Sequence, residues 1–346
     1  MIRITRHIIR AYLLLLAISL VTCFVSCKGE KTLPTMRSAY YWSTTWLMDS
    51  SKTNFIREHR IKRLYVRYFD VVEDEEGEAV PNATILFQSP IPKGIEIIPV
   101  IYIINDCLKS KGFHEEKGND SENGNNKEHS INEGNGNNEK FIQLLTEKIL
   151  KRIIQMNEAN DIKNVKEIQI DCDWTASTQD TYFDFLKILR EKAQAQQMKL
   201  SATIRLHQLS MTPPPVDRGI LMMYNTGDAK QLKCQKPILD MKDVAPYIQH
   251  LGSYPLPLSA AYPLFSWRIL FRGDKFVGIM HTDDELPILP GDSIVVRKPE
   301  MTDITEAVKS VNHQNKDINN EVILFDLSSQ NIKRFNSKDY ERIYQH

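Results

Sequence analysis

The stretch from Glu167 to Thr175 constrains the fold more than any other part of this chain. Side chains alternate sides along a β-strand, so Gln169, Asp171 and Asp173 would share one face. The other face is apolar and consists of Ile168, Ile170, Cys172 and Trp174. An apolar back and a charged front predict a buried strand that lines a polar cleft. A strand with one face in plain solvent shows a similar pattern, but the flanking segments favour the cleft.

Around this stretch, strand-like segments alternate with helix-like or long polar ones. Eight predicted strands cover residues 39–46, 63–70, 95–104, 167–175, 198–207, 219–225, 255–262 and 321–327. Predicted helices cover residues 52–60, 141–157, 179–197 and 337–344, and a hairpin is predicted from 266–271 to 275–280. This order predicts a single-domain (β/α)8 barrel of the TIM type. A doubly wound open sheet is the alternative, but no glycine-rich phosphate-binding turn follows the first strand.

Residues 109–139 interrupt this rhythm with Gly, Asn, Asp, Glu and Ser and scarcely any apolar side chain. Such a composition cannot bury enough apolar surface to offset the entropy lost on ordering, so the segment is predicted to be a disordered insertion. It follows the carboxyl end of the third predicted strand, beside the mouth of a barrel. A tolerated loop expansion and a substrate lid both fit that position.

The N-terminus has the pattern of an export signal. Three arginines within residues 1–10 precede an apolar run at 11–24 that is short for a membrane span. The next residues, with Ser26 before Cys27, resemble a bacterial lipobox, which implies cleavage after Ser26 and a lipid on Cys27. A plain N-terminal anchor helix is the alternative. Lys28 is not the aspartate that retains enterobacterial lipoproteins at the inner membrane, so outer-membrane anchoring is expected, in a leaflet left open.

These patterns predict three regions. Residues 1–26 would be the signal peptide, residues 27–37 a lipidated tether, and residues 38–346 the barrel with its insertion. Removal of the signal takes away three of 44 basic side chains and none of 44 acidic ones, so the mature charge is 41 − 44 = −3. This balance gives no reason to expect nucleic acid as a partner. No cysteine, histidine or acid set has metal-ligand spacing, so neither a metal nor a cofactor is expected.

Two predicted strands resemble the signature of the family 18 chitinase-like barrels. The family pattern on strand four is Asp-x-x-Asp-x-Asp-x-Glu, whose second and third acids match Asp171 and Asp173. Ile168 stands where the first Asp belongs, and Thr175 stands where the catalytic Glu belongs. On strand six, residues 222–225 (Met-Met-Tyr-Asn) are similar to the family's Met-x-Tyr-Asp, whose Tyr and Asp orient the substrate's acetamido group. The mature chain also resembles bacterial lipoproteins of this barrel type, which implies no particular activity.

The departures from the signature bear on the chemistry. The hydroxyl of Thr175 has far too high a pKa to protonate a leaving group, so a hydrolase would need its proton donor elsewhere. Asp171 and Asp173 would couple their titrations if buried together, which raises one pKa and yields a workable acid and base pair. The same pair held by Arg67 or Arg205 would instead be a satisfied ion cluster or a ligand clamp.

Other residues are predicted to bind substrate at the same end of the barrel. Trp42, Trp46, Tyr224 and Trp267 are aromatic side chains that could stack on sugar rings, and of these we expect Trp46 and Tyr224 to do so. His207 is an acid or base, or a packing residue. Asp70 and Asp326 are placed to supply a missing acid, or to cap the next helix. The predicted binding set is Trp46, Arg67, Arg205, His207, Tyr224 and Asn225.

The sequence thus predicts a membrane-anchored, glycan-active barrel with Asp171 and Asp173 as catalytic residues, either a glycoside hydrolase or a degenerate relative of one. The alternative is a non-catalytic surface lipoprotein that binds a saccharide or a protein partner at the same mouth. A second carboxylate roughly 5 to 9.5 Å from either aspartate across an open cleft favours hydrolysis. If both aspartates are locked by arginines and no cavity is present, a binding or scaffold role is favoured.

Overall fold

A computed structural model of the chain describes residues 35–75, 77–109, 127–280 and 286–345. Eight parallel strands form a ring: β1 Met36–Tyr41, β2 Arg63–Glu73, β3 Glu96–Ile103, β4 Glu167–Asp171, β5 Lys199–Ile204, β6 Arg218–Met222, β7 Leu258–Pro263 and β8 Glu321–Phe325. Strand β1 pairs with both β2 and β8, which closes the sheet into a barrel. The predicted (β/α)8 barrel is confirmed, and the open-sheet alternative is excluded because its first and last strands would be edges.

The helices are α1 Ser50–Glu58, α2 Lys127–Ala159, α3 Gln179–Ala195, α4 Met241–Ile248, α5 Met301–Gln314 and α6 Ser337–Gln345. Helix α2 starts at Lys127, before the predicted start, so residues 127–139 of the predicted disordered insertion are helical in the structure. Residues 110–126 lie outside the described residues, and disorder there stays a prediction. None of the helices in the described ranges is long and apolar enough to cross a membrane.

The boundary of the predicted tether moves toward the N-terminus. Strand β1 begins at Met36, and the Arg37 guanidinium donates to both carboxylate oxygens of Glu341 at 2.7 and 2.9 Å and to the backbone oxygen of His59 at 3.1 Å. Met36 and Arg37 therefore belong to the barrel. The predicted signal peptide and Cys27 lie outside the described residues, so both stay predictions.

Strand β4 divides its side chains as its alternation predicts. The apolar face packs outward, where Trp174 lies 5.3 Å from the ring of Phe183 and 6.1 Å from that of Tyr182, both on α3. The polar face points into the barrel, where Gln169 accepts a hydrogen bond from the hydroxyl of Tyr40 at 2.6 Å. The middle of the barrel is filled by a second, separate core that includes Tyr40, Tyr65, Ile98, Val100, Ile220, Ala261 and Ile323.

The amino-terminal end of the barrel holds a network of buried charges, here called the lower ion network: Arg63, Glu96, Glu167, Arg218 and Glu321. Arg63 contacts Glu96 at 2.9 Å and Glu321 at 3.0 Å, while Arg218 contacts Glu167 at 3.0 Å and Glu321 at 2.5 Å. Because each charge has an opposite partner, the network can be buried without leaving an isolated ion. It closes this end of the barrel with side chains.

A small antiparallel sheet lies between β7 and β8. Its strands are Trp267–Arg272, Lys275–Met280 and Asp292–Arg297, with the first in the middle. The predicted hairpin forms and turns at Gly273, whose φ of +59° is left-handed and suits glycine. The third strand was not predicted. Two shorter additions are Ala79–Asn82, antiparallel to the end of β2, and a parallel pair of Thr45–Trp46 with Leu86–Phe87.

Candidate functional site at the barrel mouth

Two aspartates and one arginine meet at the carboxyl-terminal mouth. Asp171 is the last residue of β4, and Asp173 lies two residues beyond it. Arg205 follows β5 directly, and its Nη2 lies 3.4 Å from Oδ1 of Asp171. Its Nε donates a hydrogen bond to Oδ1 of Asp173. We call these three residues the Arg205 clamp. The sequence left Arg67 and Arg205 as possible partners of the aspartates, and Arg205 is the one that bonds to both.

The two aspartates differ in environment. The side chain of Asp171 is 7% exposed, whereas that of Asp173 is 56% exposed. Burial raises the pKa of Asp171 above its ordinary value, although Arg205 and the hydroxyl of Thr203, which donates to Asp171 at 2.6 Å, act to lower it. The mouth therefore combines one buried carboxyl that holds its proton more firmly with one carboxylate that reaches solvent.

Arg67 has a different partner because strand β2 contains a bulge. The register with β3 shifts between Arg67 and Phe69, so that Asp70 comes to the same side of the strand as Arg67. Arg67 Nε donates to Asp70 at 2.7 Å, and its guanidinium lies over the ring of Trp42 at 5.4 Å. Asp70 is thus neutralised by an arginine and is no candidate for a free acid.

Five aromatic side chains line the mouth and are called the mouth aromatics: Trp42, Tyr224, Phe265, Trp267 and Phe325. Their rings contact one another at centroid distances of 5.0 to 5.7 Å. Tyr224 is buried beneath the others, and its hydroxyl donates to Sδ of Met222 at 2.7 Å. The remaining four are half-buried and offer apolar surface to a ligand.

The prediction that Trp46 stacks on a sugar is wrong. Its side chain is fully buried outside the barrel, 4.6 Å from the ring of Tyr41 and 5.8 Å from that of Phe87. The reason is a bend at residues 42–44, which separates β1 from the short strand Thr45–Trp46 and breaks the alternation that the sequence suggested. Trp42, the first residue after β1, still packs on the inner core of the barrel. Tyr224 is at the mouth as predicted, but its ring is covered.

Two further predicted residues lie near the mouth without joining the clamp. Strand β5 ends at Ile204, so His207 falls on a 3-10 turn, Leu206–Ser210, and is exposed rather than on the polar inner face. Asn225 follows β6 with a left-handed φ of +56° and is also exposed. Asparagine is one of the few residues other than glycine that adopts this conformation readily.

Thr175 lies in the turn between β4 and α3. Its hydroxyl is 3.0 Å from that of Ser177, and its backbone N–H donates to the hydroxyl of Thr178 at 3.0 Å. The turn thus presents hydroxyl groups and no carboxyl group from residues 174–178. That Thr175 occupies the position of the family's catalytic acid stays a prediction.

Asp326, directly after β8, is held by uncharged hydrogen-bond donors and not by an arginine. Its Oδ1 accepts hydrogen bonds from Nδ2 of Asn331 at 2.6 Å and from the N–H of Ser328 at 3.2 Å, which ties down the following turn. Burial raises the pKa of Asp326 against these hydrogen bonds. Across residues 35–75, 77–109, 127–280 and 286–345, no salt bridge to Asp326 is found. It borders a cavity of about 320 Å³ between the loops that follow β1 and β8.

In the part of the chain that the structure describes, no group of three or more His, Cys, Asp or Glu side chains is arranged to hold a metal ion. Among the described residues, Cys172 and Cys234 are not in disulfide bonds.

The closed ring of eight parallel strands, with helices between them in the chain, is the architecture of a (β/α)8 TIM barrel. No protein-family model and no curated protein matches the sequence. Solved structures do match.

The spore cortex-lytic enzyme SleL of Bacillus cereus has 15% identity and a TM-score of 0.52 over 89% of this chain and 73% of that one. The C-terminal domain of a putative chitinase from Desulfitobacterium hafniense has 10% identity and a TM-score of 0.51 over 90% and 99%. The GH18 chitinase ChiB of Flavobacterium johnsoniae has 10% identity and a TM-score of 0.50 over 90% and 93%. These neighbours are GH18-type, chitinase-like TIM barrels, and at such identities the likeness shows the fold.

Proposed function

We propose that this chain binds a glycan at the barrel mouth and is a degenerate relative of the chitinase-like hydrolases, without their strand-four catalysis. The observation that carries the proposal is the Arg205 clamp. One guanidinium bonds to both Asp171 and Asp173, the two acids retained from the family's signature. The clamp meets one part of the criterion set by the sequence, the locking of both aspartates by an arginine, which favours binding.

The clamp opposes acid and base catalysis for a physical reason. A general base must accept a proton and a general acid must return it, so both need a pKa near the working pH. The guanidinium bonded to Asp173 occupies a carboxylate oxygen that a substrate proton would need. Asp171 is already bonded to Thr203 as well as to Arg205. The clamp therefore resembles a polar ligand contact more than a proton relay.

The mouth aromatics support a carbohydrate as the ligand. Trp42, Phe265, Trp267 and Phe325 offer half-buried apolar faces at the same end of the barrel as the exposed carboxylate of Asp173. Apolar faces contact the C–H side of a pyranose, while charged groups bond to its hydroxyls. Chitin oligosaccharides are the first probes, because two of the structural neighbours are named as chitinases.

A hydrolase whose proton donor is Asp326 is the second candidate. The observation in its favour is that Asp326 lies at the mouth end of β8 with a raised pKa and with Asn331 and Ser328, not an arginine, as hydrogen-bond donors. A raised pKa is what a general acid at neutral pH requires. This candidate keeps Asp171 and Asp173 as supporting acids.

The test uses the purified full-length chain and chitin oligosaccharides of two to six units, with calorimetry for binding and chromatography for products. We expect binding without turnover, and about five-fold weaker binding for Trp42→Ala through loss of ring contact. Phe183→Ala, which removes a half-buried ring from the outer side of the barrel, is the matched control and should bind normally. Turnover that Asp326→Asn abolishes would establish the second candidate, and absence of binding to every oligosaccharide would overturn both.

We further propose that a lipid on Cys27 anchors the protein in the outer membrane. The support is the resemblance of residues 1–27 to a lipoprotein signal. Cells fed labelled palmitate should transfer the label to the wild-type chain and not to Cys27→Ser. Fractionation should then place the wild-type chain with outer membranes. A wild-type chain that takes up no label, or a label that remains in Cys27→Ser, contradicts the anchor.

A further inference from the structure

The cavity beside Asp326 is separate from the Arg205 clamp, and of its lining residues the proposals above use only Trp42 and Asp326. It has a volume of about 320 Å³ and lies between the loops that follow β1 and β8. Its lining includes Trp42, Ser43, Thr45, Lys52, Asp326 and Ser329. Trp42 belongs to both places, because its ring contacts Phe325 in the mouth and also forms part of the cavity wall. We call this space the side cavity.

We propose that the side cavity binds one pyranose ring, the terminal unit of a glycan whose next units lie on the mouth aromatics. This inference rests on the proposed function and deepens it, since it assigns the site that recognises the end of the chain.

The charges of the side cavity suit a neutral sugar. Lys52 Nζ donates to Asp49 at 2.8 Å, and the hydroxyl of Ser329 donates to the same carboxylate oxygen at 2.7 Å, so Lys52 is neutralised locally. Asp326 uses its Oδ1 for Asn331 and Ser328, and because a carboxyl group has about four lone-pair sites in all, it keeps capacity to accept further hydrogen bonds. A carboxyl oxygen with free lone pairs accepts from sugar hydroxyls. It would repel a carboxylate or phosphate ligand.

The size and the walls of the cavity also suit a single ring. Ligand pockets of roughly 300 to 1,000 Å³ are usual, so a cavity of about 320 Å³ is at the small end and fits one ring better than two. One wall is aromatic, from Trp42, and the others carry hydroxyls and a carboxyl, which is the combination that a pyranose matches with its C–H face and its rim of hydroxyls. Further units of a glycan would have to lie outside, toward the mouth.

The experiment measures binding of N-acetylglucosamine, its dimer and its tetramer to the full-length chain by calorimetry. Asp326→Asn keeps one oxygen as acceptor for the turn but loses the charge, and should weaken tetramer binding about ten-fold. Ser43→Trp places a large side chain at an exposed position of the cavity lining and should weaken it at least as much without disturbing the core. Asp317→Asn makes the same change as Asp326→Asn at an exposed site before β8, at the opposite end of the barrel, and should have no effect.

The outcomes separate this inference from the proposed function. If the wild-type chain binds none of the sugars, the proposed function fails and the side cavity fails with it. If the wild-type chain binds and Trp42→Ala weakens binding, while both Asp326→Asn and Ser43→Trp bind normally, glycan binding stands and the side cavity is overturned. Selective loss in both cavity variants, with normal thermal unfolding of Ser43→Trp, supports the side cavity.

Discussion

The two ends of the barrel use the same kinds of charged side chain to different effect. In the lower ion network, Glu321 is bonded to two arginines, Arg63 and Arg218, and to the hydroxyls of Ser38 and Ser259. Burial acts to raise the pKa of Glu321, but these partners outweigh it and the pKa is lowered. At the mouth, Asp171 shares a single arginine with Asp173, and burial raises its pKa.

The difference shows how the number of cations around a buried acid decides its role. Glu321 contacts two arginines, each shared with one further acid, and is a fixed charge that contributes to stability. Asp171 contacts one arginine, which Asp173 also uses, so its ionised form is stabilised less. The side chains at the lower end therefore close the barrel and stabilise it. At the mouth, a ligand can still add hydrogen bonds to the aspartates of the Arg205 clamp. Three substitutions sharpen or break this contrast.

The largest effect is expected from Arg218→Met. It leaves Glu167 and Glu321 buried with one cation fewer, and breaking a buried ion pair in this way costs about 3–5 kcal/mol of unfolding free energy. Urea denaturation at pH 7 measures it. Lys187→Met, which breaks an ion pair with Asp184 that is exposed on both sides, is the control and should leave the midpoint unchanged. A loss no larger for Arg218→Met than for the control would show that the lower ion network is not structural.

Glu321→Gln should have a smaller effect of the same sign. It weakens hydrogen bonds to charged groups, worth about 1.5–3 kcal/mol, at neutral pH. Because the folded pKa of Glu321 is lowered, its charge stabilises the fold above the unfolded pKa of about 4.3, and this stability is lost as the pH falls through the folded value. The gap between wild type and variant in urea should therefore close in acid. A gap that is constant with pH would contradict the assignment.

Asp171→Asn should have the smallest effect and the opposite sign. The raised folded pKa means that ionised Asp171 costs stability once the pH rises above the unfolded value of about 3.9. Asparagine removes that cost and should stabilise the protein by about 1 kcal/mol at pH 7, as replacements at binding sites often do. The gain should vanish near pH 3, because Asp171 of the wild type is then protonated in the folded and unfolded states and is as uncharged as the asparagine of the variant. If Asp171→Asn instead destabilised the protein at pH 7, Asp171 would be a stabilising charge like those of the lower ion network.

Much of the barrel was predictable because its strands show their period in the sequence. All eight predicted strands overlap the observed ones, and the inward face of β4 was identified correctly. Helix α5 was missed although Ile304, Val308 and Val311 have helical spacing, so the signal was present. Helix α4 has eight residues and contains Pro246, and a pattern this short does not distinguish a helix from a loop.

The site was less predictable, because its partners come from distant strands. Trp46 was chosen over Trp42 because a bend of three residues, which period-two reasoning cannot detect, moves it to the other side of the sheet. The lower ion network was missed altogether, although the signal existed. Five strands begin with a charged residue whose side chain is on the inner face: Arg63, Glu96, Glu167, Arg218 and Glu321. Only the register of the closed ring shows that they meet.

The seam that closes the ring has a consequence for biosynthesis. The first strand, β1, pairs with the last, β8, in the register Met36 to Glu321, and Arg37 is bonded to Glu341 in the final helix. During translation, β1 emerges long before β8 and must wait with one unpaired backbone edge, which is prone to aggregate with other chains. A premature stop codon before Glu321 would therefore leave the whole ring open. Such a truncated product should depend on chaperones and be degraded.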